Sequence, residues 1–328
     1  MCLRSGRTVP GGKIEEGAVN KFWKPVLMAA ALWRLFGPET GPRFASGQEH
    51  PLRMPGRTVF VGDREFFLRE AGPLDGPPLV LIHGLGNTSL ENWYEMIKRL
   101  QHRYRIVAVD IRNHGKSDKP RERFEIGQMA DEVAGMMDAA GIDRAAVAGF
   151  SMGGMITQEL AHRHPHRVER MVLMGTASHH ADSVKVIRWI GFVLGRAIER
   201  LTGKALYLFT YRYMVMTGTV PARYGRWYRE TTLDRDSDLY YEAAFAVINF
   251  DSREWVGRLD LPALVIISVK DQLVPVSSQY DLADRLQHAE VVELVDGGHE
   301  HPWTHADRIA AAIDTFIGGP GLRAVEAS

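Results

Sequence analysis

The chain has 328 residues, 45% hydrophobic and 24% charged, which describes a soluble globular protein with a substantial core. Lys+Arg and Asp+Glu both number 40, so no global field draws in nucleic acid, and none is expected as a partner. The only cysteine, Cys2, lies near the terminus, which leaves no disulfide framework, no thiolate metal site and no buried catalytic thiol.

Residues 1–55 read as an N-terminal extension outside the core, punctuated by Gly, Pro, Arg and Ser. Its apolar piece, Phe22 to Phe36, is interrupted by Lys24, Pro25 and Arg34, and is too short to span a membrane. It reads as a helix lying on the domain, as sequence upstream of a true start at Met28 or Met54, or as an interfacial anchor. A signal peptide is a further reading, with Lys21 and Lys24 as its basic region and a poor cleavage site around Ala45-Ser46-Gly47. The expected location is therefore the cytoplasm, with peripheral membrane contact as a variant and secretion left open.

From Gly56 the pattern changes. Arg57 to Val61 and Arg64 to Arg69 form an expected hairpin turning at Gly62-Asp63. Leu79 to Ile82 is a fully apolar strand suited to the middle of a parallel sheet, and it runs into His83-Gly84-Leu85-Gly86. A helix is expected from about Leu90 to Leu100, a strand from Arg105 to Asp110, and a helix from Phe124 to Ala140. Next come the apolar strand Ala145 to Phe150, a helix from Met152 to His162 and a strand from Val168 to Gly175. Between the first two stands Gly149-Phe150-Ser151-Met152-Gly153. This is the Gly-x-Ser-x-Gly pattern of a sharp strand-to-helix turn that pushes its serine out at the top of a sheet. By itself the pattern also fits an ordinary turn with a serine N-cap; its context decides.

At Ser178 the alternation of strand and helix stops, and it resumes only after Trp255. Ile187, Ile190, Leu194, Ile198 and Leu201 share one helical face, and an aromatic stretch runs from Tyr207 to Tyr213. Val184 to Arg229 holds nine basic residues against one acidic, Glu199; Glu230 to Glu254 holds seven acidic against two basic. Leu261 to Ile267 then reads as a strand, Ser277 to Leu286 as a helix and Glu290 to Val295 as a strand. A last helix is expected from Thr304, with Asp307 completing a capping box, to Gly318. The whole is an α/β fold, a doubly wound and mostly parallel sheet with an inserted helical cap. The core is assigned to 56–177 and 256–319, the cap to 178–255 and a tail to 320–328.

A serine hydroxyl is a poor nucleophile at neutral pH and needs a base, which in turn needs an orienting group. In a doubly wound sheet these come from loops at the carboxyl ends of strands. Two loops qualify, one with Asp271 after the strand ending at Ile267, the other with His299 after Val295-Asp296-Gly297-Gly298. Asp296 is the weaker candidate acid because it shares the base's own loop. The backbone N–H of Met152, just after the serine, and that of Leu85 are the expected donors to a developing oxyanion. His83 and His114 are expected to hold loops by hydrogen bonding, and Asp110 and Arg112 to form a structural pair.

Five stretches in order carry a resemblance: His83-Gly-Leu-Gly86, Asp110-Ile-Arg-Asn-His-Gly-Lys-Ser117, Gly149-Phe-Ser-Met-Gly-Gly154, Asp271-Gln-Leu-Val-Pro275 and Gly297-Gly-His299. The chain from about Gly56 to Gly319 resembles the cap-bearing branch of the α/β-hydrolase superfamily. That resemblance implies Ser151 as nucleophile, His299 as base and Asp271 as orienting acid. The sequence departs from the family at Ser268, three residues before the acid, and at Asn113, where glycines are common. A serine in the elbow excludes the aspartate-nucleophile chemistry of related dehalogenases and epoxide hydrolases and points to acyl chemistry.

The expected substrate is a small-molecule carboxylic ester of lipophilic character. Trp189, Phe192, Tyr207, Phe209, Tyr211 and Tyr213 either line an acyl pocket or form the cap's own core. His299-Glu-His-Pro-Trp303-Thr-His305-Ala-Asp307 is similar to the ending of meta-cleavage-product hydrolases, which keeps carbon–carbon bond hydrolysis open and is expected mainly to dock the last helix. A hydrolase-fold receptor with little turnover is the reading outside catalysis. No metal or organic cofactor is implied, and membrane contact would run through 22–36 or the basic cap.

Overall fold

The computed structural model describes residues 54–180, 182–216, 220 and 224–319. The readings of the extension and of the tail lie outside them, apart from Met54 and Pro55. The chain opens with β1 (Arg57–Val61) and β2 (Arg64–Ala71), an antiparallel hairpin turning through Gly62 at φ 61°. It continues through β3 (Pro78–Ile82), α1 (Ser89–Leu100), β4 (Arg105–Asp110), α2 (Ile126–Ala139), β5 (Ala145–Phe150), α3 (Met152–Arg163) and β6 (Val168–Met174). Four helices follow before the sheet resumes: α4 (Asp182–Thr202), α5 (Ala205–Met216), α6 (Gly225–Asp234) and α7 (Ser237–Asn249). The chain closes with β7 (Ala263–Ser268), α8 (Val276–Arg285), β8 (Ala289–Leu294), the short α9 (His301–Thr304) and α10 (Ala306–Gly318).

The eight strands form one sheet in the order β1-β2-β4-β3-β5-β6-β7-β8. β2 pairs antiparallel with both β1 and β4, and every other pair is parallel. Strands β3, β5 and β7 read as unbroken apolar runs because both faces of the sheet are covered. Successive side chains go to opposite sides. Val80 and Ile82 join the core beneath α2 and α3, with Met129, Val133, Met155 and Ile156. Leu79 and Leu81 join the core beneath α1 and α10, with Trp93, Ile97, Ile309 and Ile313. Thr88 begins α1 with a capping box, accepting from the Glu91 N–H while the Glu91 carboxylate accepts from its own.

Two local expectations need correction. The last helix does not start at Thr304. That residue ends the α9 turn, its hydroxyl bonding the Glu300 carbonyl and His305 Nδ1, and α10 begins after an N-cap at His305 with no side-chain cap bond. Asp307 pairs instead with Arg99 at 2.7 Å. Asp110 and Arg112 do not pair either. Asp110, at the end of β4, accepts from the Ser89 backbone and hydroxyl and lies 3.5 Å from Arg69, while Arg112 turns to Glu122 and Glu132.

Candidate active site

Ser151 sits between β5 and α3 with φ 53° and ψ −117°, a backbone conformation L side chains rarely adopt. The turn is held by crowding on both sides. A Cβ on Gly149 would lie 2.2 Å from the Gly153 carbonyl oxygen, and a Cβ on Gly153 would lie 2.2 Å from that of Ile82. These glycines therefore have the steric task that the spacing implies. The Ser151 N–H donates to the Met174 carbonyl over 2.8 Å, which ties the turn to β6.

The serine, histidine and aspartate singled out in the sequence meet here. His299 Nδ1 lies 2.8 Å from Asp271 Oδ2, and its Nε2 lies 3.1 Å from Ser151 Oγ. With the Nδ1 proton donated to the carboxylate, Nε2 is left as the acceptor for the serine hydroxyl. Burial pushes the Asp271 carboxyl up. The His299 ring and the backbone N–H groups of Val274 and Leu273 outweigh it and hold the group below its ordinary range. Asp271 is thus an anion beside the imidazole, placed to accept its Nδ1 proton's hydrogen bond. Asp296 stands apart, paired with His305 at 3.1 Å and near Arg308.

The loop after β3 borders the serine: a Cβ on Gly84 would lie 3.2 Å from Ser151 Cβ. Two histidines fasten it. His83 Nε2 accepts from the Ile111 N–H over 3.1 Å, and His114 Nε2 accepts from the Gly86 N–H over 3.0 Å. Asn92 Oδ1 accepts from the Gly84 N–H over 2.8 Å. Among the described residues, the N–H groups of Leu85 and Met152 bond to no other group. For Met152 this follows from its place in the first turn of α3, where N–H groups have no intrahelical acceptor.

A second layer of buried polar residues holds the loops of Asp271 and His299. Gln279, fully buried on α8, accepts from the Ser268 N–H over 3.0 Å and donates to the Val274 carbonyl over 2.9 Å and to Asp271 Oδ2 over 3.3 Å. His301 Nδ1 lies 2.7 Å from Ser268 Oγ and 3.1 Å from the Gly298 carbonyl. A carbonyl only accepts, so Nδ1 carries the proton. Burial, reinforced by His299, pushes the His301 imidazole down to about 3. The Ser268 departure from the family pattern thereby acquires a role, since its hydroxyl helps seat the ring that braces Gly298, one residue before His299. Phe150 packs on both rings, 4.9 Å from His299 and 5.2 Å from His301 between centroids.

The helices between β6 and β7 cover the loop after β3. A cavity of about 180 Å³ lies between them, lined by Gly86, Asn87, His114, Trp227, Arg235 and Tyr240 among others. Arg235 reaches the Glu91 carboxylate at 3.1 Å and Asn87 Oδ1 at 3.3 Å, and Thr231 bonds the same carboxylate. Trp303 packs on Tyr224, Trp227 and Tyr228, so the Trp303 ending docks onto α6 and not only onto the last helix. Of the six aromatics considered for an acyl pocket, Tyr207, Tyr211 and Phe192 pack against Tyr240, Tyr228 and Tyr241 within the inserted helices. Trp189, Phe209 and Tyr213 are exposed.

Known proteins can be set beside this geometry. A family described as the alpha/beta hydrolase fold matches residues 77–306. A 2-hydroxymuconate semialdehyde hydrolase from Pseudomonas sp. (strain CF600) is 27% identical over 80% of this chain and 93% of its own. A putative non-heme haloperoxidase from Mycobacterium phage D29 is 32% identical over 73% of this chain and 88% of its own. The crystal structure of an enol-lactonase from Burkholderia xenovorans LB400 is 27% identical, covers 80% of this chain and 100% of that one, and superposes with a TM-score of 0.69. The sheet, the inserted helices and these matches agree, and the chain belongs to the α/β-hydrolase fold family of hydrolases.

Proposed function

We propose that the protein hydrolyses a carboxylic ester of lipophilic character through an acyl-enzyme on Ser151. The observation that carries this reading is the continuous hydrogen-bonded set Asp271–His299–Ser151, at 2.8 and 3.1 Å. His299 takes the hydroxyl proton as the oxygen attacks the carbonyl carbon. Tetrahedral charge falls to the N–H groups of Met152 and Leu85, and His299 returns the proton to the departing alcohol. Water then enters by the same route and releases the acid, restoring the free serine. Removal of one oxyanion donor in such a site costs about 10²–10³ in turnover. The likeness to an enol-lactonase supports ester chemistry, because a lactone is a cyclic ester.

Carbon–carbon bond hydrolysis is the second reading, favoured by the likeness to a 2-hydroxymuconate semialdehyde hydrolase. The two separate on substrate. The ester reading expects turnover of p-nitrophenyl esters across a chain-length series, labelling by a fluorophosphonate, and loss of both in Ser151→Ala. Rapid turnover of a dienoic ring-cleavage product with poor ester activity selects the alternative. Full ester activity in Ser151→Ala removes the acyl-enzyme reading altogether.

A further inference from the structure

Helix α4 turns one stripe inward. Arg188, Phe192, Gly195 and Glu199 recur at helical spacing, and Phe192 meets Tyr241 and Phe245 of α7 at 6.2 Å between centroids. A Cβ on Gly195 would lie 2.6 Å from the Tyr241 hydroxyl, so this side is closely packed and the stripe of Ile187, Ile190, Leu194, Ile198 and Leu201 is left exposed. Arg188 begins the inward stripe and reaches from the inserted helices to the core. Its Nη1 donates to His180 Nδ1 over 2.9 Å, and its Nη2 donates to the carbonyl of Leu273, two residues beyond Asp271. A guanidinium only donates, so Nδ1 of His180 accepts. Burial, reinforced by Arg188, Lys185 and His179, pushes that imidazole down to about 4, which keeps it neutral and able to accept at pH 7.

The Leu273 carbonyl shares a peptide plane with the Val274 N–H, which donates to Asp271 Oδ1 over 2.9 Å. That peptide is trans, so its carbonyl and its N–H point opposite ways. Arg188 therefore holds one end of a plane whose other end faces the carboxylate, and a charged donor on the carbonyl strengthens the N–H as a donor in turn. The Asp271 carboxylate is fully buried. Among the described residues its Oδ1 takes two donors, both backbone, from Leu273 at 2.8 Å and from Val274, while Oδ2 faces His299. Charge acts in the same sense: burial pushes the Arg188 guanidinium down, and the Asp271 carboxylate opposes it. We propose that Arg188 is a positioning residue, which reaches out of α4 to fix the Leu273–Val274 peptide and through it the Asp271 carboxylate bonded to His299. The inserted helices then help to assemble the hydrogen-bonded set as well as to cover it. The effect on turnover rests on the ester reading; the placement of Asp271 and His299 does not.

The test is proton NMR of the full chain without substrate, reading the low-field resonance of the Nδ1 proton between His299 and Asp271, assigned by its absence from His299→Gln. Arg188→Met is expected to shift that resonance and to speed its exchange with water. Arg188→Lys, which keeps a charged donor, is expected to recover part of both. In parallel, Arg188→Met is expected to lower fluorophosphonate labelling, and kcat on p-nitrophenyl esters, roughly three- to fivefold with KM unchanged, a smaller loss than removal of a direct bond to Asp271. Melting temperatures check that the variants fold, and if Arg188→Met melts early, Arg188→Lys carries both measurements on a smaller scale. A resonance that Arg188→Met leaves unchanged overturns the proposal. So does labelling of that variant at the wild-type rate, or a raised KM with kcat unchanged, which would place Arg188 on the substrate instead. A wild type that neither labels nor hydrolyses esters defeats the ester reading alone, and the resonance then decides the placement of Asp271 by itself.

Discussion

Gln279→Leu isolates the support behind the acid. The side chain is fully buried and makes three hydrogen bonds, accepting from Ser268 N–H and donating to the Val274 carbonyl and to Asp271 Oδ2. Leucine fills similar volume and leaves the Ser268 N–H and the Val274 carbonyl without these partners. A buried orphan costs about 1–3 kcal/mol, so the expected loss of stability is about 2–5 kcal/mol. The catalytic effect follows from the third bond. A hydrogen bond to a charged group contributes about 1.5–3 kcal/mol, and about 1.4 kcal/mol is a factor of ten in rate. At 3.3 Å this bond belongs at the weak end of that range, and Asp271 keeps the N–H groups of Leu273 and Val274. The expectation is therefore a fall of about tenfold in kcat with KM nearly unchanged, because the loss falls on orientation of His299 and not on substrate binding. Thermal melts and p-nitrophenyl ester kinetics measure both quantities, and the rate of fluorophosphonate labelling gives the second without a chosen substrate. A variant that melts earlier yet labels and turns over at the wild-type rate would refute the claim that Gln279 positions the acid.

Three further outcomes are expected. Gly153→Ala places a Cβ 2.2 Å from one backbone oxygen and 2.7 Å from another, neither able to rotate away, and should destabilise by more than about 2 kcal/mol in chemical denaturation. His301 and His114 are buried and neutral, with imidazoles pushed down to about 3, chiefly by burial, from an ordinary value of 6.5. Below pH 6.5 these two side chains take up protons in the unfolded chain that the folded chain refuses, so their contribution to stability is full above that pH and falls toward pH 3, by about 4 kcal/mol between pH 8 and pH 5. Urea titrations of the wild type and of His301→Asn at those two pH values check this: the variant is expected to lose about 2 kcal/mol less than the wild type between them, and an equal loss contradicts it. Arg235→Met leaves the Glu91 carboxylate buried without its cation and should cost about 3–5 kcal/mol, most of it recovered in Arg235→Met/Glu91→Leu, as a double-mutant cycle of melts will report.

The sheet was legible because its central strands must be apolar on both faces, which leaves runs such as Leu79 to Ile82 with little other interpretation. Ser151, Asp271 and His299 were legible because each follows a strand and lies in a loop of distinctive composition. Gln279, His301 and Ser268 were not. Ser268 and His301 are 33 residues apart and meet only once β7 and the loop after β8 lie side by side. Ser268 stood out as a missing glycine, a signal that marks a change without saying what the new side chain touches. Asp110 and Arg112 misled because their separation suggests a pair, whereas the turn after β4 sends one toward Ser89 and Arg69 and the other toward Glu122 and Glu132. Periodicity located the apolar face of α4 but could not orient it. Phe192 and Gly195 take the inner position by close packing on α7, and the longer stripe is left outside.

That orientation also bears on how the inserted helices sit over the site. They are anchored at two points near the Ser151 machinery. Arg235 meets the fully buried Glu91 carboxylate of α1, in the segment that follows the Leu85 loop. Trp303, four residues beyond His299, is seated among Tyr224, Trp227 and Tyr228. Lifting α6 away would separate a buried ion pair and expose that aromatic cluster, a cost of several kcal/mol before any substrate contact offsets it. A hinged lid on this side is therefore the less economical route of access. The anchors keep α6 close to both the Leu85 loop and the loop of His299, so substitutions at Arg235 or Trp227 are expected to alter turnover together with binding. The apolar side of the insertion lies elsewhere, along α4 and α5, beside the loop of Asp271.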